Sequence, residues 1–412
     1  MNSRERVIAS ISHKELDRVP IDFGGTTVTG ISAVAYKNLC NFMGRDQKVK
    51  VFDLMQQLAV IDEQIKVSFG TDVDPLFRPK PRFGIPIYKE WKIGKLTDGS
   101  NCLVPSGFSP VEEDGCLILK QNGVAVAKRS KKSYWFNPIY HPLKDKHNIG
   151  SLHEYKWPLY SKDDLEYLST CSEAVRSNSE RAIVVSLGKE IYASLFESGQ
   201  FLRGPEQFFI DLVMRKDYVS YLLDHCVENF KKNFDKLKEA VGDNVDILKL
   251  TDDFGAQDRL LISPKMFREL FKPRWKEIIS YIKMNSNYKV FFHSDGAIYD
   301  IIPDLIEIGV DILNPIQLNA KGMDVTRLKK EFGKELTFWG AGIDTQRLPF
   351  MGLQEIEEHI KKVIDVFAPG GGFVFSTIHN IQPETPPDKI VKIFETVQTY
   401  GREYRSEGKF ND

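Results

Sequence analysis

Little in this sequence points toward a polyanion, a membrane or an oxidising compartment. Its 56 lysines and arginines stand against 57 aspartates and glutamates, a net charge of −1, so no one-signed field exists to gather nucleic acid or anionic lipid. Cysteine is scarce. The five, Cys40, Cys102, Cys116, Cys171 and Cys226, are odd in number and show no C-x-x-C spacing, which argues against a disulfide framework and against a thiolate zinc site. No apolar run approaches the length needed to span a bilayer. The amino terminus is polar and charged over residues 2–6 and lacks the apolar core of a signal peptide. No repeat or low-complexity tract is visible. These absences lead us to expect a cytoplasmic protein whose partner is a compact substrate or another protein, with neither nucleic acid nor membrane among its ligands.

What the chain does contain is alternation. Residues 18–25 (RVPIDFGG) read as a buried strand entering a glycine turn, and residues 182–187, 245–250, 288–292, 310–313, 336–339 and 373–376 are short apolar runs of the kind buried on both faces in parallel sheets. Amphipathic helices separate them, such as residues 355–367, whose Ile356, Ile360, Val363, Ile364 and Phe367 share one face. This pattern predicts an α/β fold, a (β/α)8 TIM barrel occupying residues 1–412 as a single unit, with one strand still to be placed. Asn2 and Glu5 form a capping box before Val7, Ile8 and Ile11, an N-terminal helical extension. Residues 85–140 change texture to short strands broken by Asp98-Gly99, Asp114-Gly115 and Asn122-Gly123, an antiparallel β insertion with a hairpin at Asn122-Gly123. The basic, aromatic run Lys128, Arg129, Lys131, Lys132, Tyr134 and Trp135 reads there as a solvated edge strand, edges being commonly protected by charge.

Polar side chains collect where the apolar runs end: Asp252 and Asp253 after Leu250, His293 and Asp295 after Phe292, Asn314 and Gln317 after Leu313, and His379 after Ser376. In a parallel barrel all these ends share the face that carries the chemistry. His293 and Asp295 sit two apart, so on an extended strand end they project to the same side. With His379 they give two imidazoles and a carboxylate, a set that suits Zn²⁺, Fe²⁺ or a similar divalent ion with positions open to substrate. The same residues fit a metal-free site in which His379 donates a proton beside Asp295, and spacing does not separate the two.

Several motifs carry less than their letters suggest. Asp253-Phe254-Gly255 matches the magnesium-binding tripeptide of protein kinases, but no glycine-rich nucleotide loop or H-R-D segment accompanies it. Gly370-Gly371-Gly372 precedes a strand, whereas phosphate cradles follow one and open a helix. Gly24-Gly25-Thr26-Thr27 has that polarity but no lysine, which leaves Gly25 as a candidate substrate contact only. Residues 145–150 (DKHNIG) fit the D-x-H-x-x-G pattern of corrinoid-binding domains, yet they lie in a polar linker beside the β insertion rather than in a doubly wound domain.

Arg18-Val19-Pro20, Thr251-Asp252-Asp253-Phe254-Gly255 with Ser263-Pro264, His293-Ser294-Asp295-Gly296, Asn314-Pro315 and His379 followed by Pro383-Glu384-Thr385-Pro386-Pro387 resemble the uroporphyrinogen decarboxylase superfamily. That superfamily holds the porphyrinogen decarboxylases and the cobamide-dependent methyltransferases, among them methylcobamide:coenzyme M methyltransferase. The resemblance is strongest over residues 245–401 and leaves out the insertion. The decarboxylases carry an R-Q-A-G-R segment near the amino terminus, where this chain has Ile21-Asp22-Phe23-Gly24-Gly25. The methyltransferases hold zinc through His-x-Cys and a further Cys; here His293 matches, Asp295 stands at the first cysteine position and His379 at the second. His379 also matches the histidine that the decarboxylases place four residues before their Pro-Asp/Glu-Thr-Pro-Pro.

The resemblance implies a methyltransferase that works with a corrinoid (cobalamin) carried by a partner protein. In that reading a divalent metal, zinc foremost, is held by His293, Asp295 and His379, and Asp252, Asp253, Asn314 and Gln317 orient a small-molecule methyl donor or acceptor. A homo-oligomer is compatible with it. Two other readings stay open: a metal-free decarboxylase of a small carboxylic acid, with Asp253 or Asp295 stabilising a developing cation and His379 supplying the proton, and a ligand-binding barrel without turnover.

Overall fold

The computed structural model describes residues 1–188 and 191–403. Seven parallel strands lie in sequence order around a curled sheet: Val73–Leu76, Ala182–Ser186, Ile247–Thr251, Lys289–His293, Ile312–Asn314, Thr337–Trp339 and Phe373–Val374. The first of these is the strand that sequence pattern did not locate. Asp74 and Pro75 interrupt its apolar run, and Asp74 is held in place by ion pairs to Lys66 and Arg181. The expected strand over residues 18–25 is contracted to one bridge, Ile21 to Phe375. That bridge closes the ring, because Phe375 N donates to Pro20 O (2.9 Å) and Asp22 N to Phe375 O (2.8 Å) on one side, while Asp72 N donates to Ile21 O (2.7 Å) on the other. The outcome is a (β/α)8 TIM barrel whose eighth position is a single residue pair.

Side chains alternate across the wall, as strand geometry requires. Val73, Ala182, Val184, Ile247, Phe291, Ile312, Trp339 and Val374 fill the interior, and Val7 and Ile11 join that cluster from the opening helix Ser3–Ile11. The capping box forms as expected, with Glu5 N donating to Asn2 Oδ1 (2.8 Å) and Asn2 N to Glu5 Oε2 (3.0 Å). Arg4 N then donates to Glu180 O and Gly372 N to Ser10 O, residues just ahead of two strands. This helix therefore plugs the amino-terminal end of the barrel and leaves the carboxyl end as the accessible one. Outward-facing residues such as Val290, Phe292, Leu313 and Phe338 pack under the helices, including Leu353–Phe367, which buries the five apolar residues of its stripe. Among the described residues no helix is long and apolar enough to cross a membrane, and all five cysteines are free thiols.

The insertion forms an antiparallel pair, Trp91–Lys95 with Asn101–Pro105, and a four-stranded sheet of Val111–Glu113, Cys116–Gln121, Val124–Ser130 and Asn137–Pro138. Asn122 and Gly123 both take positive φ between paired Gln121 and Val124, the two-residue hairpin turn that Asn-Gly favours. One expectation is corrected. Val124–Ser130, which carries Lys128 and Arg129, is an inner strand of its sheet rather than an edge. Leu119, Ala127 and Phe136 are buried in the same core as the barrel helices, and Phe136 N donates to Met55 O (3.0 Å).

Asp22 joins the closing bridge to the interior by accepting from Trp339 Nε1 (2.8 Å) and Gly25 N (2.7 Å). Burial pushes its carboxyl up to about 6, from an unfolded value near 4. Between those values the folded chain keeps a proton that the unfolded chain releases, so wild-type stability falls as pH rises through the window. Against Asp22→Asn, which cannot titrate, the wild type should lose about 3 kcal/mol from about pH 4 to about pH 6 and nothing further above it. Urea unfolding of both proteins at matched pH checks this, and a pH-independent difference would refute it.

Candidate functional site

His293 is the last residue of its strand and pairs in register with Thr251 on one side and Asn314 on the other. The residue is 2% exposed. Asn314 Nδ2 donates to Trp339 O (3.0 Å), which fixes the amide so that Oδ1 accepts from His293 Nδ1–H (2.6 Å). Gly340 makes room for this amide: a Cβ there would lie 2.6 Å from Asn314 Nδ2. With the proton on Nδ1, the Nε2 lone pair faces outward, toward Asp253 Oδ1 at 3.7 Å and Asp295 Oδ2 at 3.8 Å. Burial holds the imidazole well below its ordinary value, the Asp253 charge opposing it, so the ring is neutral at physiological pH.

Two glycines let the loops cross beneath the site. A Cβ on Gly255 would stand 2.4 Å from Asp295 O, and one on Gly296 (φ +88°) would stand 2.6 Å from Ala256 O, so only bare backbone fits on either side. Asp295 N donates to Asp253 Oδ1 (3.1 Å), Gly296 N to Gln317 Oε1 (2.8 Å) and Phe254 N to Ser294 Oγ (3.0 Å). Across the mouth, His379 has φ +64°, a left-handed backbone that costs about 1–2 kcal/mol for a non-glycine residue. Thr377 Oγ1 donates to His379 O (2.8 Å), while Asn380 accepts from Gly30 N (2.8 Å) and donates to Thr27 O (3.0 Å) and Gln56 Oε1 (3.0 Å). The His293 and His379 rings lie 6.0 Å apart between centroids, and one donor atom each from His293, Asp295 and His379 falls within 4.8 Å of the others.

A cavity of about 650 Å³ opens above this cluster. Of the residues expected there, His293, Asp295, Gln317 and His379 line it. Asp253 is half-buried beside His293. Asn314 is buried behind His293 and acts through it. Asp252 is placed differently from expectation. It is fully buried and accepts from the backbone N–H groups of Leu195, Phe196 and Glu197, at the start of the Phe196–Arg203 helix, and from Trp275 Nε1 (3.1 Å). Burial, and after it the Glu197 charge, push its carboxyl up to about 8 against those donors. Its oxygens tie strand to helix, so it frames the site rather than orienting a substrate. Gly25 lies off the main cavity, against Val73 and Asp22, where a Cβ would come within 2.4 Å of Val73 Cγ1. His147 of the D-x-H-x-x-G match sits exposed in its linker near Arg203 and Arg215.

Sequence pattern passed over Lys249 and Arg78 and read Trp135 as part of a solvated edge, whereas all three line the cavity. Lys249 did leave a signal, a lone charge within an otherwise apolar parallel strand. Arg78, after a strand that was not located, left none. Trp135 reaches the mouth from the insertion.

The uroporphyrinogen decarboxylase (URO-D) family model matches residues 161–400. No curated protein matches the chain. Among solved structures, a methyltransferase from Methanosarcina mazei superposes with a TM-score of 0.59 at 17% sequence identity, over 97% of this chain and 99% of that one. At that identity the likeness establishes a shared fold.

The His293–Asn314 contact makes a direct prediction. In the wild type, the His293 imidazole resonances should show no protonation between about pH 5 and pH 8. Asn314→Asp places a carboxylate against Nδ1–H and should raise the protonation midpoint by about one unit or more. Nitrogen-15 NMR of labelled histidine reads both proteins, and an unchanged midpoint in the variant would remove the role given to Asn314.

Proposed function

The chain belongs to the uroporphyrinogen decarboxylase family, whose model covers more than half of it, and from that premise we propose a methyltransferase that uses a divalent metal at the barrel mouth and works with a separate corrinoid protein. The observation that carries this reading is the direction of the His293 Nε2 lone pair. Ligand atoms from His293, Asp295 and His379, one from each, converge within 4.8 Å, His293 Nε2 lies 3.8 Å from Asp295 Oδ2, and Nδ1–H is committed to Asn314. Two imidazoles and a carboxylate within this reach are a set that a divalent cation can use. The overall likeness to the methyltransferase from Methanosarcina mazei supports methyl transfer as the reaction class.

The donor set fits a borderline divalent ion. Two imidazoles and one carboxylate match Zn²⁺ or Fe²⁺ with positions left for substrate, and Asn314 supplies the outer hydrogen bond that a ligating histidine requires. When bound, the ion supplies Lewis acidity, polarising the heteroatom of a methyl donor or acidifying an acceptor. The chain's own groups do the positioning. Asp253 holds Asp295 through its backbone N–H, Gln317 holds Gly296, and Gln317 Nε2 donates to Gln257 Oε1 (3.0 Å), which keeps the turn beside the ligand set fixed. At the open mouth a corrinoid held by a partner protein would have access to the methyl group.

Elemental analysis of protein purified without chelator should find a stoichiometric transition metal. His293→Ala and His379→Ala should each strip it with the fold intact, Asp295→Asn should weaken it less, and Asp295→Cys should shift preference toward Zn²⁺. Methyl transfer assayed with added cobalamin should follow metal content. A metal-free wild type in which only His379→Ala loses turnover would overturn this reading in favour of proton-transfer chemistry such as decarboxylation.

A further inference from the structure

Two tiers of hydrogen bonds cross the carboxyl ends of the strands. The inner tier is buried and runs from His293 through Asn314 to Trp339 O. The outer tier follows the cavity rim through four side chains that line it, Gln317, Gln257, Asn319 and Asp344. Gly296 N, next to Asp295, donates to Gln317 Oε1 (2.8 Å), Gln317 Nε2 to Gln257 Oε1 (3.0 Å), Gln257 Nε2 to Asn319 O (2.6 Å) and Asn319 Nδ2 to Asp344 Oδ2 (2.6 Å). Asp344 belongs to a loop that is zipped to the His379 loop: Gly342 N donates to Ser376 O (2.9 Å), Ile378 N to Ile343 O (2.8 Å) and Thr345 Oγ1 to Ile378 O (3.0 Å). The second carboxylate oxygen of Asp344 accepts from Gln346 N (2.9 Å), which fixes its orientation. The belt therefore begins beside Asp295 and ends beside His379.

We propose that Asn319 and Asp344 are positioning residues that set the separation of Asp295 from His379. His293 has the buried relay to hold it. Asp295 and His379 stand on loops, past the strands Lys289–His293 and Phe373–Val374, and those strands are not neighbours in the sheet, so no strand ladder pairs one loop directly with the other. The Asn319–Asp344 bond joins the loop after Ile312–Asn314 to the loop after Thr337–Trp339. It is also the one bond of the belt that ends on a carboxylate, the class that is shorter and about twice as strong as a neutral pair. A metal site tolerates a spread of only about 0.2 Å in its ligand distances, and groups behind the ligands contribute about 10–100-fold in affinity. Slack between the two loops therefore reads out as lost metal. The inference deepens the proposed function: it rests on that reading for the consequence to metal, and on the hydrogen bonds alone for the coupling of the loops.

A reciprocal exchange of the two side chains tests this on the full chain. Asn319→Asp sets two carboxylates against each other and opens the belt, whereas Asn319→Asp combined with Asp344→Asn restores one amide facing one carboxylate at the wild-type net charge. Affinity for Zn²⁺, read by chelator competition, should fall about tenfold in the single variant and return to within about twofold of wild type in the double. The sign is diagnostic, because a carboxylate added at an intact mouth would strengthen the binding of a cation. Hydrogen–deuterium exchange without metal should quicken over residues 376–380 in the single variant and return to the wild-type rate in the double. Asn319→Leu, which removes the donor without adding charge, should give the same two losses and serves if the aspartate variant does not fold. Unchanged or tighter Zn²⁺ binding in the single variants overturns the proposal, as does a double variant that fails to recover or exchange that stays at the wild-type rate throughout. A wild type that takes up no Zn²⁺ refutes the metal reading, and the exchange rates then decide the belt.

Discussion

The Nδ1–H of His293 donates to Asn314, and the amide of Asn314 donates in turn to the carbonyl of Trp339. This short relay runs across the carboxyl ends of three neighbouring strands. It needs the parallel register that sets His293 against Asn314, and it needs glycine at 340, where a Cβ would strike the amide. In exchange it settles which nitrogen of a buried imidazole carries the proton and turns the other toward the cavity. A metal at the mouth would start from that lone pair, so strand register and ligand geometry are here one constraint.

The remaining groups are held by close backbone approach and by side-chain hydrogen bonds to the backbone. The Gly255–Gly296 crossing brings the Asp253 and Asp295 loops into direct contact, and the left-handed His379 is fixed between hydrogen bonds from Thr377 and the tethers of Asn380. Strain of this kind persists only where surrounding structure over-determines it. The opening helix closes the far end of the barrel with Val7 and Ile11, so among the described residues the cavity opens on the side where these constraints converge.

The insertion belongs to this arrangement despite lying outside the segment matched by the family model. Its Phe136 anchors in the common core, and the adjacent Trp135 stands at the cavity wall. A segment that reads as a surface appendage thus shapes the volume available to a substrate. Arg78 and Lys249 likewise reach the cavity wall through the tertiary fold, from a loop after one strand and the middle of another.

Much of the frame was written in local pattern. The apolar runs ending at His293 and Asn314, the stripe of Leu353–Phe367, the Asn2–Glu5 capping box and the Asn122-Gly123 turn each rest on periodicity or on a residue's intrinsic backbone preference, and such signals survive in a bare sequence. The convergence of His293, Asp295 and His379 was legible for the same reason, since parallel strand ends share a face. The strand Val73–Leu76 was not, because Asp74 and Pro75 mask it, and tertiary partners, the ion pairs with Lys66 and Arg181 and a hydrogen bond from Ser179 Oγ, make the aspartate tolerable. Nor were the opposite fates of Asp252 and Asp253. Successive residues at a strand end point to opposite sides, and only the packed helix start at Phe196 and the indole of Trp275 decide that Asp252 turns inward while Asp253 stays beside His293. Sequence thus determined that His293, Asp295 and His379 arrive at the mouth, while the tertiary structure alone brought Arg78, Lys249 and Trp135 there and decided which way each residue faces, because facing depends on partners far away along the chain.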